Sequence, residues 1–304
     1  MTECERLIEN GTFSPDFLKE EIRCDFLVTA AVKKIWTIEL DLLNQFDVVC
    51  RRHGLKYFLM TGSTIGAIRH NGIIPWDDDI DVGMLRIDYD RIMDFRDEFQ
   101  YPYFLQSPGD DSGYFYGFSK LRNSNTSCIV KTFKHRKFNQ GIGLDIFPLD
   151  NWKVDAVAEF SKVASLLKEQ STWMRIGNPD LSIIDKTRVE QYSGRDPYET
   201  LGEINELQTR WKDVDTGFVA LVGFCAYGYK RSLFRTDCFS DTVTIPFETG
   251  CFPVMKGYDH YLKVVYGDYM QLPPINERKT WHPGIIFDAD TPYLRFRNDI
   301  NRAV

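Results

Sequence analysis

The chain has 304 residues, 43% of them hydrophobic and 14% aromatic, with a formal net charge of −7. That length holds one large domain or two modest ones, with ample apolar material for a core. The negative balance excludes the basic surface that non-specific nucleic-acid binding needs, and the longest apolar run, roughly ten residues at 218–227, is too short to span a bilayer. Seven cysteines (Cys4, Cys24, Cys50, Cys128, Cys225, Cys238, Cys251) are dispersed without a C-x-x-C pair, which predicts buried thiols in a reducing compartment. The acidic N-terminus, MTECERLIENG, has no signal-like apolar stretch, so the chain is expected in the cytoplasm.

In chain order, apolar residues recur at helical spacing from Phe26 to His53 (Val32, Ile35, Trp36, Leu42, Leu43, Phe46, Val49), and Gly54 follows as a C-cap. Leu55–Met60 reads as a buried strand. After Gly62, Ser63 or Thr64 is expected to cap a short helix running through Arg69. Ile80–Met84 reads as a second strand and Arg86–Phe99 as a helix. Tyr114–Arg122 and Thr126–Phe133 are expected to pair antiparallel around the polar turn Asn123-Ser124-Asn125. Ile142–Phe147 is a further strand, closed by Pro148. After Asn151 long helical stretches take over, at Ala156–Met174 and Leu201–Trp211. The predicted class is α+β: a mixed sheet flanked by helices over 1–152, and a mostly helical portion, 153–304, that completes the cleft.

The chemistry concentrates in residues 57–84, where a Gly-Ser turn (Gly62, Ser63) precedes Asp77, Asp78, Asp79 and Asp81. A small-residue turn lets backbone N–H groups approach phosphate oxygens, and carboxylates hold a hard divalent cation beside them. Four acids set among Ile73, Ile74, Trp76, Ile80 and Val82 would repel one another and resist desolvation without a cation. An EF-hand is excluded, because a loop starting at Asp77 puts Val82 where glycine is required and Asp88 where the bidentate glutamate belongs. Strand alternation would instead put Asp79 and Asp81 on one face with Ile80 and Val82 in the core, and Asp77 at the strand entrance. Asp78 then points to the opposite face and is the least expected ligand of the four. Asp145, between Leu144 and Ile146, supplies a further carboxylate in a matching setting.

A Gly-Ser turn opening a helix, a D-x-D strand and a later lone aspartate together resemble the nucleotidyltransferase fold. TGSTIGAIRHNGIIPWDDDIDVGM and GIGLDIFPLD resemble the two hallmark segments of the LicD/fukutin family, and FSKLRNSNTS and KGYDHYLKVVYGDYMQLPP resemble further family segments. The resemblance implies transfer of phosphocholine, or another phospho-alcohol, from a CDP-alcohol such as CDP-choline to a sugar hydroxyl. The implied acceptor is a surface glycan of lipopolysaccharide or teichoic-acid type, or its lipid-linked saccharide precursor. Mg²⁺ or Mn²⁺ is the expected cofactor, held by Asp79, Asp81 and Asp145 with Asp77 as an additional ligand. Asp145 is expected either to complete the metal site or to act as general base.

Cations should oppose the donor's phosphates. Arg69 and His70, between the turn and the acids, are candidate phosphate contacts, with an internal salt bridge from Arg69 to an aspartate as the alternative. Lys120 and Arg122 share a strand face and are candidate donor-binding residues by the resemblance. The run Lys131–Lys137 is read as a solvated strand end, with guidance of an anionic polymer or proximity to the inner membrane face as its functional alternative. Aromatic cages bind quaternary ammonium groups, so Tyr258, Tyr261, Tyr266, Tyr269 or Trp281 are candidates to line an alcohol pocket, and Lys256 and Gly257 to approach it. Competing functions are transfer of NMP to a small hydroxylated acceptor and non-catalytic binding of glycan or nucleotide.

Overall fold

The computed structural model describes residues 1–178, 183–192, 194–279 and 284–300. The strands are β1 (Glu21–Arg23), β2 (Phe26–Val28), β3 (Phe58–Leu59), β4 (Asp81–Leu85), β5 (Tyr103–Gln106), β6 (Ser119–Asn123), β7 (Ser127–Val130), β8 (Ile142–Asn151), β9 (Phe218–Ala220), β10 (Leu233–Arg235), β11 (Thr242–Phe247), β12 (Gly250–Met255) and β13 (Gly284–Asp288). The helices are α1 (Glu3–Glu9), α2 (Ala30–His53), α3 (Thr61–Ile65), α4 (Arg86–Ile92), α5 (Val157–Met174), α6 (Ile183–Tyr192), α7 (Pro197–Thr209), α8 (Tyr229–Ser232), α9 (Tyr258–Tyr266) and α10 (Tyr293–Ile300).

One mixed open sheet runs in the order β10-β9-β8-β4-β3-β12-β11, with β6 pairing a second stretch of β8 and β5 pairing β6. The α+β class read from the sequence is therefore the observed one. β4 and β8 are parallel, while β6 and β8 are antiparallel. Long β8 is the spine: residues 142–146 pair β6, 145–149 pair β4 and 150–151 pair β9. It runs through Pro148 rather than stopping there. Asp145 donates its N–H to Ile80 O at 3.2 Å, so by alternation residue 148 points its nitrogen away from β4, beyond the end of β6. A proline costs no ladder bond at that position.

The long helix α2 begins at Thr29, whose side chain caps the Val32 N–H, and ends at Gly54 with φ 63°. Only glycine adopts that left-handed C-cap without strain. Phe26 lies in the short β1–β2 hairpin, ahead of the helix. α2 packs on one side of the sheet through Ile35, Trp36, Leu42, Leu43 and Phe46, against Val82, Met84, Leu144 and Ile146. Phe58, Met60, Phe147, Leu149, Tyr261 and Leu262 form a second core, which brings in α9.

Three local expectations differ from the structure. β6 and β7 are consecutive but do not pair; β6 lies between β5 and β8, and β7 joins β13. The helix after β4 gives way to a 3₁₀ segment at Met93. The later part of the chain supplies helices, but β12 also pairs parallel with β3, and β11 extends the sheet beyond it. The thiols are not uniformly buried either: Cys24 and Cys251 are exposed and Cys128 and Cys225 partly so, and none of the seven is disulfide-bonded.

Candidate active site

β4 opens at Asp81, so Asp79 precedes the strand rather than alternating within it. The stretch 77–80 is irregular, and the argument that turned Asp78 away no longer applies. Asp77, Asp78 and Asp79 each bring a carboxylate oxygen within 4.8 Å of the others. Asp81 stands in register with Asp145 on β8, and Asp145 in register with Lys120 on β6. Register partners project from the same face, so an acid, an acid and a cation cross three adjacent strands in line. The Lys120 ammonium is ion-paired to Asp145 Oδ1.

The turn before β4 is fastened to these acids. A Cβ on Gly62 would lie 2.8 Å from Asp77 Oδ2, so a larger residue there would displace the Asp77 carboxylate. Ser63 does not cap a helix. α3 starts at Thr61, and the Ser63 hydroxyl accepts the Asp81 N–H at 2.9 Å. Thr61 holds φ at 48°, a strained setting for a β-branched residue. Its N–H donates to the Tyr261 hydroxyl at 3.1 Å and its own hydroxyl donates to Asp81 Oδ2. Trp36 Nε1 donates to Asp77 O at 2.9 Å, tying α2 to the same loop.

Burial raises the Asp81 carboxyl well above the usual range, and Asp79, Asp145 and Asp77 push it in the same direction against the Thr61 hydrogen bond. Sequence reasoning missed a partner on α2. Glu39 is 2% exposed, its Oε2 has no hydrogen bond, and burial followed by Asp79 and Asp145 pushes its carboxyl up too. The signal was present, since Glu39 falls three residues from both Trp36 and Leu42 on the apolar stripe. Every donor in this group is a carboxylate oxygen, the donor type that suits a hard divalent cation.

The raised carboxyls have a measurable sign. Folded protein keeps protons that the unfolded chain releases, so cation-free protein loses stability as pH rises from the unfolded value through the raised folded one. Glu39→Gln removes one such group. Urea titration of chelator-treated protein between about pH 5 and 8 should give a shallower decline for the variant. Identical slopes would rule Glu39 out as a proton-binding member of the cluster.

Arg69 and His70 engage elsewhere. Arg69 Nη1 donates to the carbonyls of Tyr269 at 2.6 Å and Gln271 at 3.1 Å, and its Nε to His70 Nε2 at 2.8 Å. These bonds pin the loop after α9, and the internal salt bridge to an aspartate is not among them. Burial, Arg69 and Arg23 lower His70 to about 4, so it is neutral as Arg69's acceptor. Lys120 and Arg122 do lie at the site, and both line one cavity with Asp145. In the basic run, Arg136 donates to the carbonyls of Met174 and Trp173, and His135 contacts Ile176 O at 2.7 Å, so part of it is structural. Tyr261 is fully buried, and the hydroxyls of Tyr266 and Tyr227 bond each other at 2.8 Å. Lys256 pairs with Asp241 at 3.5 Å. Trp281 lies outside the described residues. Among the described residues, no helix is long and apolar enough to cross a membrane.

Comparison with known proteins joins these features. Residues 54–172, which contain the turn, Asp77, Asp78, Asp79, Asp81, Asp145 and Lys120, match the family described as LicD/FKTN/FKRP, nucleotidyltransferase domain. The chain is 28% identical over 257 residues to the lipopolysaccharide cholinephosphotransferase LicD of Haemophilus influenzae, covering 80% of this chain and 92% of that protein. It is also 26% identical over 112 residues to an uncharacterized protein of Rickettsia prowazekii (36% of this chain, 38% of the relative). A Rickettsia typhi protein, likewise uncharacterized, is 36% identical over 77 residues (23% and 25%). The chain thus carries a LicD-type nucleotidyltransferase domain over residues 54–172 and is similar along most of its length to a lipopolysaccharide cholinephosphotransferase.

Proposed function

We propose that the chain is a metal-dependent phosphotransferase. It moves a phospho-alcohol, phosphocholine in the first instance, from a CDP-alcohol to a sugar hydroxyl of a cell-surface glycan or its lipid-linked precursor, releasing CMP. The observation that carries the reading is the Asp81–Asp145 register pair beside the Asp77–Asp79 cluster, within the segment that matches the family. The similar Haemophilus protein, named a cholinephosphotransferase, favours choline as the alcohol.

Asp79, Asp81 and Asp145 are the proposed ligands of Mg²⁺ or Mn²⁺, with Asp77 and Asp78 beside them. The donor set fits: the carboxylates are clustered and mutually repelling, Asp78 and Asp81 are buried with Asp77, Asp79 and Asp145 half-buried, and Glu39 Oε2 makes no hydrogen bond. When bound, the cation neutralises charge on the nonbridging oxygens of the phosphates. Thr61 and Ser63 hold Asp81 in place, and Gly62 keeps the space in front of Asp77 open. Lys120 orients Asp145, which either completes the cation's ligand set or accepts the acceptor's proton as the sugar oxygen bonds to phosphorus and the bond to CMP breaks. Positioning and charge neutralisation supply most of the rate in such transfers.

The test is incubation with Mg²⁺ and CDP-choline, CDP-glycerol or CDP-ribitol, with and without a glycan acceptor, followed by chromatography. Metal-dependent release of CMP is expected, largest with CDP-choline. Pyrophosphate release from a nucleoside triphosphate instead would assign nucleotidyl transfer.

A further inference from the structure

Beside Asp145 lies a cavity of about 230 Å³, walled by Tyr116, Phe118, Phe133, Phe138, Phe224 and Phe287. That is below the range for drug-sized ligands and suits one small ring or headgroup. The Tyr116 and Phe133 rings meet at 84° with centroids 5.8 Å apart, and Phe118 and Phe224 at 77° and 6.3 Å. Near-perpendicular pairs bound a slot from two directions. Two buried polar side chains line the same space.

Arg122 is 6% exposed. Its Nε donates to Gln106 Oε1 at 2.9 Å and its Nη1 to Gly141 O at 2.7 Å. No described residue accepts from its Nη2, and no described carboxylate pairs with its charge. Gln140 is 4% exposed, and its Nε2 donates to the carbonyls of Phe133 at 3.3 Å and Arg136 at 3.1 Å. Two carbonyl neighbours fix the amide's orientation, and no described residue donates to Oε1. Beside the Lys120–Asp145 ion pair, which neutralises itself, the cavity thus holds one unpaired charged donor, one free acceptor and aromatic walls.

A quaternary ammonium fits this set poorly. It would share the space with an unneutralised guanidinium and leave both polar atoms without partners. A planar heterocycle with an exocyclic amine beside a ring acceptor satisfies the walls, the donor and the acceptor together.

We propose that this cavity binds the aminopyrimidine ring of the donor nucleotide. The ring stacks on the aromatic walls, its amine donates to Gln140 Oε1, and its acceptor edge receives Arg122 Nη2. The phosphates then leave toward Lys120 and Asp145, which line the same cavity. This assignment rests on the proposed use of a nucleotide donor and moves the alcohol to a different part of the cleft.

Isothermal titration of the full chain in Mg²⁺ with CMP, UMP, ribose 5-phosphate and phosphocholine tests it. Uracil turns a carbonyl toward Gln140, so CMP should bind at least about tenfold more tightly than UMP. Ribose 5-phosphate, lacking a ring to stack, should bind about 5- to 100-fold more weakly than CMP. Gln140→Leu should erase the CMP-over-UMP preference while phosphocholine binding is unchanged. Phe133→Leu keeps the bulk, guards against a folding failure of the first variant, and should weaken CMP alone. Equal affinity for CMP and UMP overturns the assignment, as does loss of phosphocholine rather than CMP binding in Phe133→Leu. A retained base preference without CMP release from any CDP-alcohol would sink the transfer reading and leave the cavity assignment standing. CMP release without base preference would do the reverse.

Discussion

Asp81→Asn should lower turnover by about 10²–10³-fold or more and leave the fold intact. The substitution keeps the shape and the Thr61 contact but removes one of the charges that converge at the head of β4. Stability in chelator should move the other way. Asp81 is buried and pushed up by Asp79 and Asp145, so an uncharged amide relieves repulsion that the folded state otherwise bears. Asp145→Asn should lose activity similarly but gain less stability, because it also releases the Lys120 ion pair. Opposite movement of rate and melting midpoint is what separates a carboxylate kept for chemistry from one kept for structure. Near-normal turnover of folded Asp81→Asn protein would remove the cation from the mechanism.

The largest expected effect on stability lies at the other end of β4. Arg86 follows the strand directly, and its Nε donates to Asp150 Oδ1 at 2.6 Å. Asp150 is fully buried and its Oδ2 has no partner, so this contact holds the carboxylate's charge almost alone. Arg86→Met should cost about 3–5 kcal/mol in urea unfolding, since it strands a charge out of water. Burial already raises Asp150, with Arg86 opposing it, so the variant's carboxyl should take up a proton when folded. A group with a raised folded pKa contributes most on the acid side, and the deficit should shrink as pH falls toward the ordinary carboxyl range. Arg86→Met/Asp150→Leu should recover most of the loss. A loss that is flat with pH would mean that Arg86 matters through packing on Tyr89, 4.9 Å from its guanidinium carbon, and not through charge.

Local chemistry was legible in the sequence wherever one short segment carried its own explanation. α2 and its Gly54 stop follow from apolar spacing and one left-handed residue. The Asp81–Asp145 pair follows from two acids each set between apolar neighbours, which is how a strand presents a carboxylate on one face. Partner choice between strands was not legible. The turn at 123–125 suggested a β6–β7 hairpin, but β8 extends over ten residues and offers β6 a longer buried edge than β7 could. Alternation does not place Asp78, because it holds only within a strand and Asp78 precedes β4. Glu39 was hidden by its position on an apolar stripe, where its neighbours are set by the tertiary fold. The cavity beside Asp145 draws its rings from the segment before β6, residues 133–138, the loop after β9 and β13, so no window of sequence displays it.

The parallel pairing of β12 with β3 has a consequence for biosynthesis. Leu59 pairs with Val82 on one side but on the other with Val254, and strained Thr61 is held by the hydroxyl of Tyr261, some two hundred residues downstream. A ribosome that has delivered the family-matching segment has therefore not yet delivered the parts that pin its first turn. The mutually repelling acids must wait for that last support until most of the polypeptide has emerged.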